Sequence, residues 1–305
     1  MSFVPVNQIR AASASPDSDD TRVGRLPPWF KVKIQQGPDY KDIRRIMDGL
    51  GLHTICEEAR CPNVWECWNN RTATFLILGE ICTRRCQYCS VTTGRPLAVD
   101  REEPRRVAEA VRALGLRHAV ITSVNRDELE DGGAAVFAET IRQIRDMIPS
   151  CRIEVLIPDF EGNEGALRLV VKEEPEILNH NIETVRRLFP AIRPQGKYDR
   201  SITLLDRAKR MGATTKSGLI VGMGETLDEV RGVMRDLRIA SCDILTIGQY
   251  LQPTKQHLPV TRFYHPDEFA ALKTEGLRLG FRHVESGPLV RSSYHAERQT
   301  DNTLA

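Results

Sequence analysis

From residue 72 to residue 285 the apolar positions alternate between two rhythms. Short, nearly unbroken apolar runs recur at residues 72–78, 118–124, 152–157, 176–180, 214–221, 243–248 and 281–285. Between them, apolar residues repeat every three or four positions. Val107, Val111 and Leu114 do so within 103–114, Leu204, Leu205 and Ala208 within 201–211, and Val230, Val233, Met234 and Leu237 after residue 226. Similar stretches lie at 134–148, 165–171 and after Pro266. The unbroken runs predict strands buried on both faces, and the longer repeat predicts amphipathic helices. The punctuation agrees. Pro104 stands in a first helical turn, Gly115 and Gly212 are helix stops, Pro158 ends a strand, and Thr226-Leu-Asp-Glu229 has the form of a capping box. About six strand–helix units in succession predict an α/β fold with parallel strands covered by helices. An open doubly wound sheet and a (β/α) barrel both satisfy that pattern. In either one, the loops after the strand C-termini carry function.

The flanks differ. Residues 1–25 are rich in Ser and Asp and poor in apolar residues, which predicts a disordered tail. Residues 26–71 read as an N-terminal extension, in which Leu26-Pro-Pro-Trp29-Phe30 is an arm expected to pack on the body. Ile43, Ile46, Met47 and Leu50 fall at i, i+3, i+4, i+7, the inward face of a short helix over 40–51 stopped by Gly51. Residues 72–285 are the repeating body and 286–305 a C-terminal tail. No internal repeat stands out beyond the strand–helix rhythm.

Composition narrows what such a body does. Hydrophobic residues make up 41% and aromatic residues 6%, enough for a sizeable core, and 43 basic residues against 41 acidic leave a net charge of +2. That balance argues against nucleic acid or a membrane surface as the main partner. No stretch approaches the roughly 18 apolar residues of a membrane span, and the N-terminus lacks the apolar core of a signal peptide. Six of the eight cysteines fall between residues 56 and 89, in two clusters of three. Secreted disulfide scaffolds are short and spread their cysteines throughout, and two odd-numbered clusters cannot pair internally without leftovers. The expected setting is a reducing cytoplasm, with the thiols ligating metal.

Cys82-Thr-Arg-Arg-Cys86-Gln-Tyr-Cys89 places three thiols at x3 then x2 spacing in a polar loop after the first strand. Three thiolates can hold three irons of a [4Fe–4S] cluster and leave the fourth open to a small molecule. Upstream, Cys56-x4-Cys61-x5-Cys67 is looser and again leaves one iron in need of a ligand. Cysteine also builds zinc knuckles and buried cores, so on spacing alone zinc and unlinked thiols stay open for both clusters. Cys151 and Cys242 stand alone in apolar surroundings and read as inert core thiols. The seven histidines show no metal-ligand spacing.

The x3–x2 spacing with Tyr88 before the last cysteine resembles the signature of the radical S-adenosyl-L-methionine (SAM) superfamily. With Pro62-Asn63 and Trp65-Glu66 in the upstream triplet, and Arg291-Ser292-Ser293-Tyr294 near the C-terminus, the chain more narrowly resembles the lipoyl synthase family. Thr122-Ser-Val-Asn-Arg-Asp127, Asn179-His-Asn-Ile-Glu183 and Gly218-Leu-Ile-Val-Gly-Met-Gly-Glu225 are similar to that family as well, and the likeness covers about residues 26–297. The resemblance implies a partial (β/α)6 barrel of TIM type, with N-terminal and C-terminal extensions that carry an auxiliary cluster. It implies two [4Fe–4S] clusters and SAM as cofactors. Cys82, Cys86 and Cys89 would hold the cluster whose open iron binds SAM. Cys56, Cys61 and Cys67 would hold the auxiliary one, with Ser293 as its fourth ligand. A serine oxygen is a poor partner for iron–sulfur chemistry beside thiolate, which suits a cluster that has to be labile.

The implied reaction inserts two sulfur atoms, drawn from the auxiliary cluster, at C6 and C8 of an octanoyl chain amide-linked to a carrier-protein lysine. Those C–H bonds are unactivated, so acid–base chemistry cannot remove the hydrogen and a radical made from SAM is required. Implied partners are octanoylated lipoyl domains of 2-oxoacid dehydrogenases or the glycine-cleavage H protein. An electron donor such as flavodoxin or ferredoxin is implied too, with an iron–sulfur carrier that rebuilds the cluster.

Further contacts are expected in the loops. Tyr88 is a candidate for the adenine of SAM, Thr122, Asn125 and Arg126 for its methionine end, and Asn181 and Glu183 for its ribose. Each also has an ordinary reading as a packing aromatic, loop polarity or a helix cap. Gly222-Met-Gly224 permits a close backbone approach but is too short for a nucleotide fingerprint. Gln249, Tyr250, Gln252 and Pro253 are expected to line a channel, and Arg291 to orient the tail or gate the auxiliary cluster. Other classes use the same cysteines. A methylthiotransferase shares the radical triplet but is expected to bring an RNA-binding domain and excess positive charge. A two-cluster electron carrier wants closed, fully thiolate-bound clusters and needs no barrel, and a zinc-binding interaction module wants no sulfide.

Overall fold

The computed structural model describes residues 26–30, 37–58, 61–69, 73–297 and 299, so the predicted tail of 1–25 lies outside the described residues. Phe30 of the N-terminal arm is buried, its ring 5.4 Å from that of Phe263. Helix α1 (Pro38–Leu50) buries Ile43 and Met47, leaves Ile46 and Leu50 half-buried, and ends at Gly51 in the left-handed conformation. Strand β1 (His53–Thr54) and helices α2 (Ile55–Glu58) and α3 (Val64–Asn69) complete the N-terminal extension. The Tyr40 ring of α1 lies 4.9 Å from both Trp65 and Trp68 of α3, stacked on the first, which ties the two helices together.

The body follows in the predicted order. Strand β2 (Thr74–Ile77) leads to the two-residue strands β3 (Ile81–Cys82) and β4 (Thr92–Thr93), and then to helix α4 (Glu103–Leu114). Next come β5 (His118–Ser123), α5 (Ala134–Met147), β6 (Arg152–Leu156), α6 (Glu164–Val171) and β7 (Ile177–Asn179). The short α7 (Phe189–Ile192) precedes α8 (Tyr198–Arg210), β8 (Thr215–Val221), α9 (Leu227–Ile239), β9 (Ile244–Gln249), α10 (Pro266–Arg278) and β10 (His283–Gly287). Thr226 and Glu229 form the capping box that opens α9, and Cys151 and Cys242 are buried. No helix among the described residues is long and apolar enough to cross a membrane.

The main sheet runs β1-β2-β5-β6-β7-β8-β9-β10, parallel throughout except for β1, which pairs antiparallel with β2. Its two edges do not pair with each other, so the six βα units form a partial barrel. The sheet nevertheless curls strongly, because Thr74 and Leu76 of β2 border the same cavity as Thr246 and Gly248 of β9.

The floor below that cavity is polar. The apolar runs of β6 and β8 each hide a charge, Glu154 and Lys216, both fully buried. Lys216 Nζ donates to the two Glu154 oxygens at 2.8 and 3.0 Å, and Asn179 Nδ2 donates to one of them at 3.0 Å. Burial pushes the Glu154 carboxyl up, but Lys216 and the nearby His118 outweigh it and hold it at about 2. Burial lowers the Lys216 ammonium in turn, with Glu154 opposing, and the pair cross-links strands that are not neighbours. A buried charge left alone is costly, whereas a matched pair can be exchanged for apolar groups at little loss. Lys216→Met is expected to destabilise the chain by about 3–5 kcal/mol, and adding Glu154→Leu to recover most of that loss. Chemical denaturation of the metal-free protein measures both, and a single variant as stable as the wild type would rule out the pair as a fold determinant.

Candidate active site

At the C-terminal ends of the parallel strands lies a cavity of about 450 Å³. Both cysteine-bearing segments reach it, by different means.

The Cys82 segment is bolted to the barrel. After β2 the backbone turns through left-handed Leu78 and Gly79 (φ 70° and 86°), and the Leu78 N–H donates to the buried Glu103 carboxylate at 2.7 Å. β3 then ends on Cys82 and pairs with β4, so the loop expected here begins as a small two-stranded ribbon. The Thr83 N–H donates to Asn125 O at 3.0 Å. Arg84, 3% exposed, places its guanidinium between Asp127 (2.7–3.0 Å) and Asp159 (2.6 Å). Asp159 also accepts from Arg200 at 3.1 Å. Burial works against both charges, yet Asp127 and Asp159 drive the Arg84 pKa up, and Arg84 drives that of Asp159 well below the carboxylate range. The backbone N–H groups of Arg84 and Asn125 point at the Cys82 sulfur, at 3.4 and 3.3 Å. Such donors stabilise thiolate and tune iron–sulfur sites. The Cys86–Cys89 turn closes through Cys89 N–H to Cys86 O at 3.1 Å and hangs from Ile192 O by the Gln87 N–H at 2.9 Å.

The upstream triplet sits on and between the short helices. Cys56 is in α2, Cys67 in α3, and Cys61 in the turn that joins them, its N–H donating to Cys56 O at 2.9 Å. Cys56 and Cys61 border the cavity, whereas Cys67 lies beside them behind its wall. The C-terminal segment completes this side. Asn63 Nδ2 donates to Leu289 O at 2.6 Å, and Tyr294 Oη donates to the Glu66 carboxylate at 3.2 Å. Val290 crosses Gly248 so closely that a Cβ there would lie 2.1 Å from Val290 O. Ser292 and Ser293 are thereby delivered to the cavity that Cys56 and Cys61 border.

Burial pushes the Cys56 and Cys89 thiols up to about 12 and raises those of Cys61, Cys67 and Cys86 as well, with Arg291 and Arg193 pulling the other way at Cys61 and Cys86. Thiols in so apolar a setting ionise when a metal supplies the compensating charge. The donor set therefore fits two thiolate-held clusters.

The other expected residues divide. Tyr88, Asn125, Asn181 and Glu183 border the cavity. Neither Asn181 nor Glu183 caps a helix. Glu183 instead sits at φ 69° in an isolated bridge to Leu219, pinned by bonds of 2.8 and 2.9 Å to its neighbours' backbone. Thr122 also borders the cavity but lies within β5, its hydroxyl donating to Leu156 O at 3.0 Å. Arg126 does not reach the cavity: its guanidinium is held by Leu78 O (2.9 Å), Leu97 O (2.7 Å) and Glu128 (2.5 Å), so it shapes the loop. Gly222 packs against Gln249 and Arg262 O, also away from the cavity. Sequence reasoning missed Arg193. It is 7% exposed on the cavity wall, donates to Asn181 O at 3.0 Å, and its Nε has no hydrogen-bond partner among the described residues. No period or spacing marks it; only its closeness to Asn179-His-Asn-Ile-Glu183 in the chain is a signal.

Comparison with known proteins places this geometry in a family. The model of the radical SAM superfamily matches residues 76–237, and that of the N-terminal domain of lipoyl synthase matches residues 11–61. A lipoyl synthase of Rubrobacter xylanophilus is 61% identical over 283 residues, which are 92% of this chain and 88% of the relative. One from Koribacter versatilis is 56% identical over 289 residues, 94% and 95% of the two chains. Among solved structures, methylornithine synthase (PylB) shares the fold with a TM-score of 0.54 at 14% identity, covering 81% of this chain and 82% of its own. HydG, a maturase of the [FeFe]-hydrogenase, shares it with a TM-score of 0.56 at 16% identity, over 76% and 54%. With more than half of its residues identical to those of two such relatives along nine-tenths of its length, the chain belongs to the lipoyl synthase family of the radical SAM superfamily.

Proposed function

We propose that this chain converts a carrier-bound octanoyl group to lipoyl within the shared cavity, each thiol triplet holding one cluster. Cys82, Cys86 and Cys89 hold the one that works with SAM; Cys56, Cys61, Cys67 and Ser293 hold the one that gives up sulfur. The family uses SAM and two [4Fe–4S] clusters. When bound, these groups supply the one-electron chemistry and the sulfide that unactivated C–H bonds at C6 and C8 demand. The observation that carries the reading is that Cys82, Cys86 and Cys89, Cys56 and Cys61 with Cys67 beside them, and the distant Ser293 converge on one cavity.

The chain's own residues bind, orient and exclude water. Arg193 offers a buried cation with a spare donor for the carboxylate of SAM, and Glu183 and Asn181 beside it suit ribose hydroxyls. Burial raises the Glu183 carboxyl, which Arg193 opposes. Tyr88 contributes an aromatic face, and Leu76, Ile157 and Leu219 give an apolar wall along which an octanoyl chain can lie. Arg291, whose charge is disfavoured by burial, faces Cys61 and Glu183 and so sits between the two cluster sites. The tail that crosses Gly248 shields the auxiliary side from water, as radical chemistry requires. Octanoylated lipoyl domains and the glycine-cleavage H protein are the carriers in this reading, flavodoxin or ferredoxin the reductant, and an iron–sulfur carrier the means of rebuilding. A reducing cytoplasm suits thiols that must stay free to take up iron.

Anaerobic incubation with an octanoyl-lysine peptide, SAM and reductant should give a mass gain matching two sulfurs in place of two hydrogens. Cys86→Ala should abolish deoxyadenosine formation yet retain about half of the roughly eight irons expected for two clusters; deoxyadenosine at the wild-type rate would exclude the assignment. Cys61→Ala should keep SAM cleavage and lose lipoyl product, and continued thiolation would refute the sacrificial role. Gly248→Val drives a side chain into Val290 O. It should weaken the auxiliary cluster selectively, read as iron lost from that site with SAM cleavage retained.

A further inference from the structure

The loop after β9 reaches back to the last cysteine of the radical triplet through a directed hydrogen-bond chain. His257 Nε2 lies 3.0 Å from Cys89 O, and its Nδ1 lies 2.8 Å from Thr254 Oγ1. The Gln256 N–H donates to the same Thr254 oxygen at 3.3 Å. A carbonyl can only accept, so Nε2 carries the ring proton. In the Nε2–H tautomer Nδ1 accepts, and the Thr254 hydroxyl, already accepting from Gln256, donates to it. All donors therefore point the same way, from Gln256 through Thr254 and His257 onto Cys89. Two more bonds fasten the segment: Leu258 N–H to Gln87 O at 3.2 Å and Tyr250 Oη to Leu258 O at 2.6 Å. Gln252, which borders the cavity, donates to His257 O at 2.8 Å.

We propose that His257 is a positioning residue for the radical reaction: its Nε2–H fixes the Cys89 carbonyl, and so the sulfur of Cys89, against the cavity wall built by Gln252. The inference rests on the reading that Cys82, Cys86 and Cys89 hold the SAM-binding cluster. A donor on the last ligand's carbonyl does two things there. It holds the Cys86–Cys89 turn in one register, and it places a positive dipole end near the sulfur, which stabilises added electron density. Gln252 stands outside that chain but holds the backbone carbonyl of His257, so an acyl chain packed against that wall acts on the residue that carries the donor. Cooperative strengthening along such a chain makes its loss larger than that of one bond.

The test uses the full chain with Cys56, Cys61 and Cys67 replaced by Ala, so that the triplet's cluster alone is read. His257→Leu should retain its iron, shift the midpoint potential to more negative values, change the electron paramagnetic resonance spectrum of the reduced cluster, and weaken the SAM-induced change by roughly tenfold in SAM concentration. His257→Gln, which can still donate to the carbonyl, should restore most of each signal. Thr254→Val, which frees the ring tautomer without touching the turn, should shift the potential in the same direction by less, and it carries the test alone if His257→Leu does not fold. With all other cysteines intact, His257→Leu should raise the ratio of deoxyadenosine to lipoyl product several-fold. Unchanged potential and spectra in His257→Leu, or in Thr254→Val where it stands alone, would overturn the inference. A parent chain that binds no cluster at the triplet would instead overturn the reading beneath it.

Discussion

A guanidinium buried among carboxylates holds the radical side of this protein in place. Arg84 belongs to the thiol loop, yet its partners come from elsewhere: Asp127 follows β5 and Asp159 follows β6. A buried cation without partners is untenable, and so are two buried or half-buried carboxylates. The three charges are therefore stable only when loop and strand ends are together, which makes the loop's position a consequence of barrel formation. Arg200 adds a fourth charge from α8 and ties the helical layer to the same point. The backbone that results directs two N–H groups at Cys82, so the ion network and the thiol environment are one structure.

The auxiliary side is built on another principle. Its thiols lie on and between short helices that β1 ties to β2 nearby in the chain, while the C-terminal segment is joined to them at long range, through Asn63 to Leu289 and Glu66 to Tyr294 and His295. These bonds span more than two hundred residues of sequence, so they form only after β10 is docked and cost the most loop-closure entropy. Glu66 and its partners are also partly exposed, and exposed polar bonds add little stability. The segment bearing Ser293 is thus held by steric fit over Gly248 and a few polar contacts, with no buried ion pair comparable to that of Arg84 among the described residues.

How much of this was legible in the chain follows from the range of the signals. Helix and strand order was read correctly because burial repeats locally, at two or three to four residues, and the thiol triplets stand out in the chain by their close spacing. In the N-terminal extension the 40–51 helix was read from its period, but the two shorter helices were missed, since a four- or six-residue helix has no period to show. Glu154 and Lys216 were absorbed into apolar runs, because a single charge in a strand looks like noise until its partner two strands away is known. Arg126 and Arg193 exchange roles for a similar reason. Both are buried arginines, one after β5 and one at the end of α7; backbone carbonyls and Glu128 use up the first in its loop, while the second stands on the cavity wall with its Nε unpartnered among the described residues. His257 illustrates the same limit: it has no ligand spacing to mark it, and only the fold brings it to Cys89.

The contrast between the two sides follows from what each has to survive. A site that returns to its starting state at every turnover gains from fixed geometry, since misplacement by a fraction of an ångström costs rate. That describes the triplet on the barrel, with its amide donors, ion network and the clamp from the loop after β9. A site that gives up part of its inorganic content gains from ligands that can let go and be replaced. In the proposed assignment that is the site of Cys56, Cys61 and Cys67, completed by Ser293 on a tail whose anchor is shape and a few half-exposed hydrogen bonds. Rigidity placed on the auxiliary side would oppose rebuilding, and looseness on the radical side would release a reactive intermediate into the cavity before the acyl chain was in line. Placing the strong electrostatics at Arg84 and the weak contacts at Glu66 is therefore a division of labour that the chemistry itself requires.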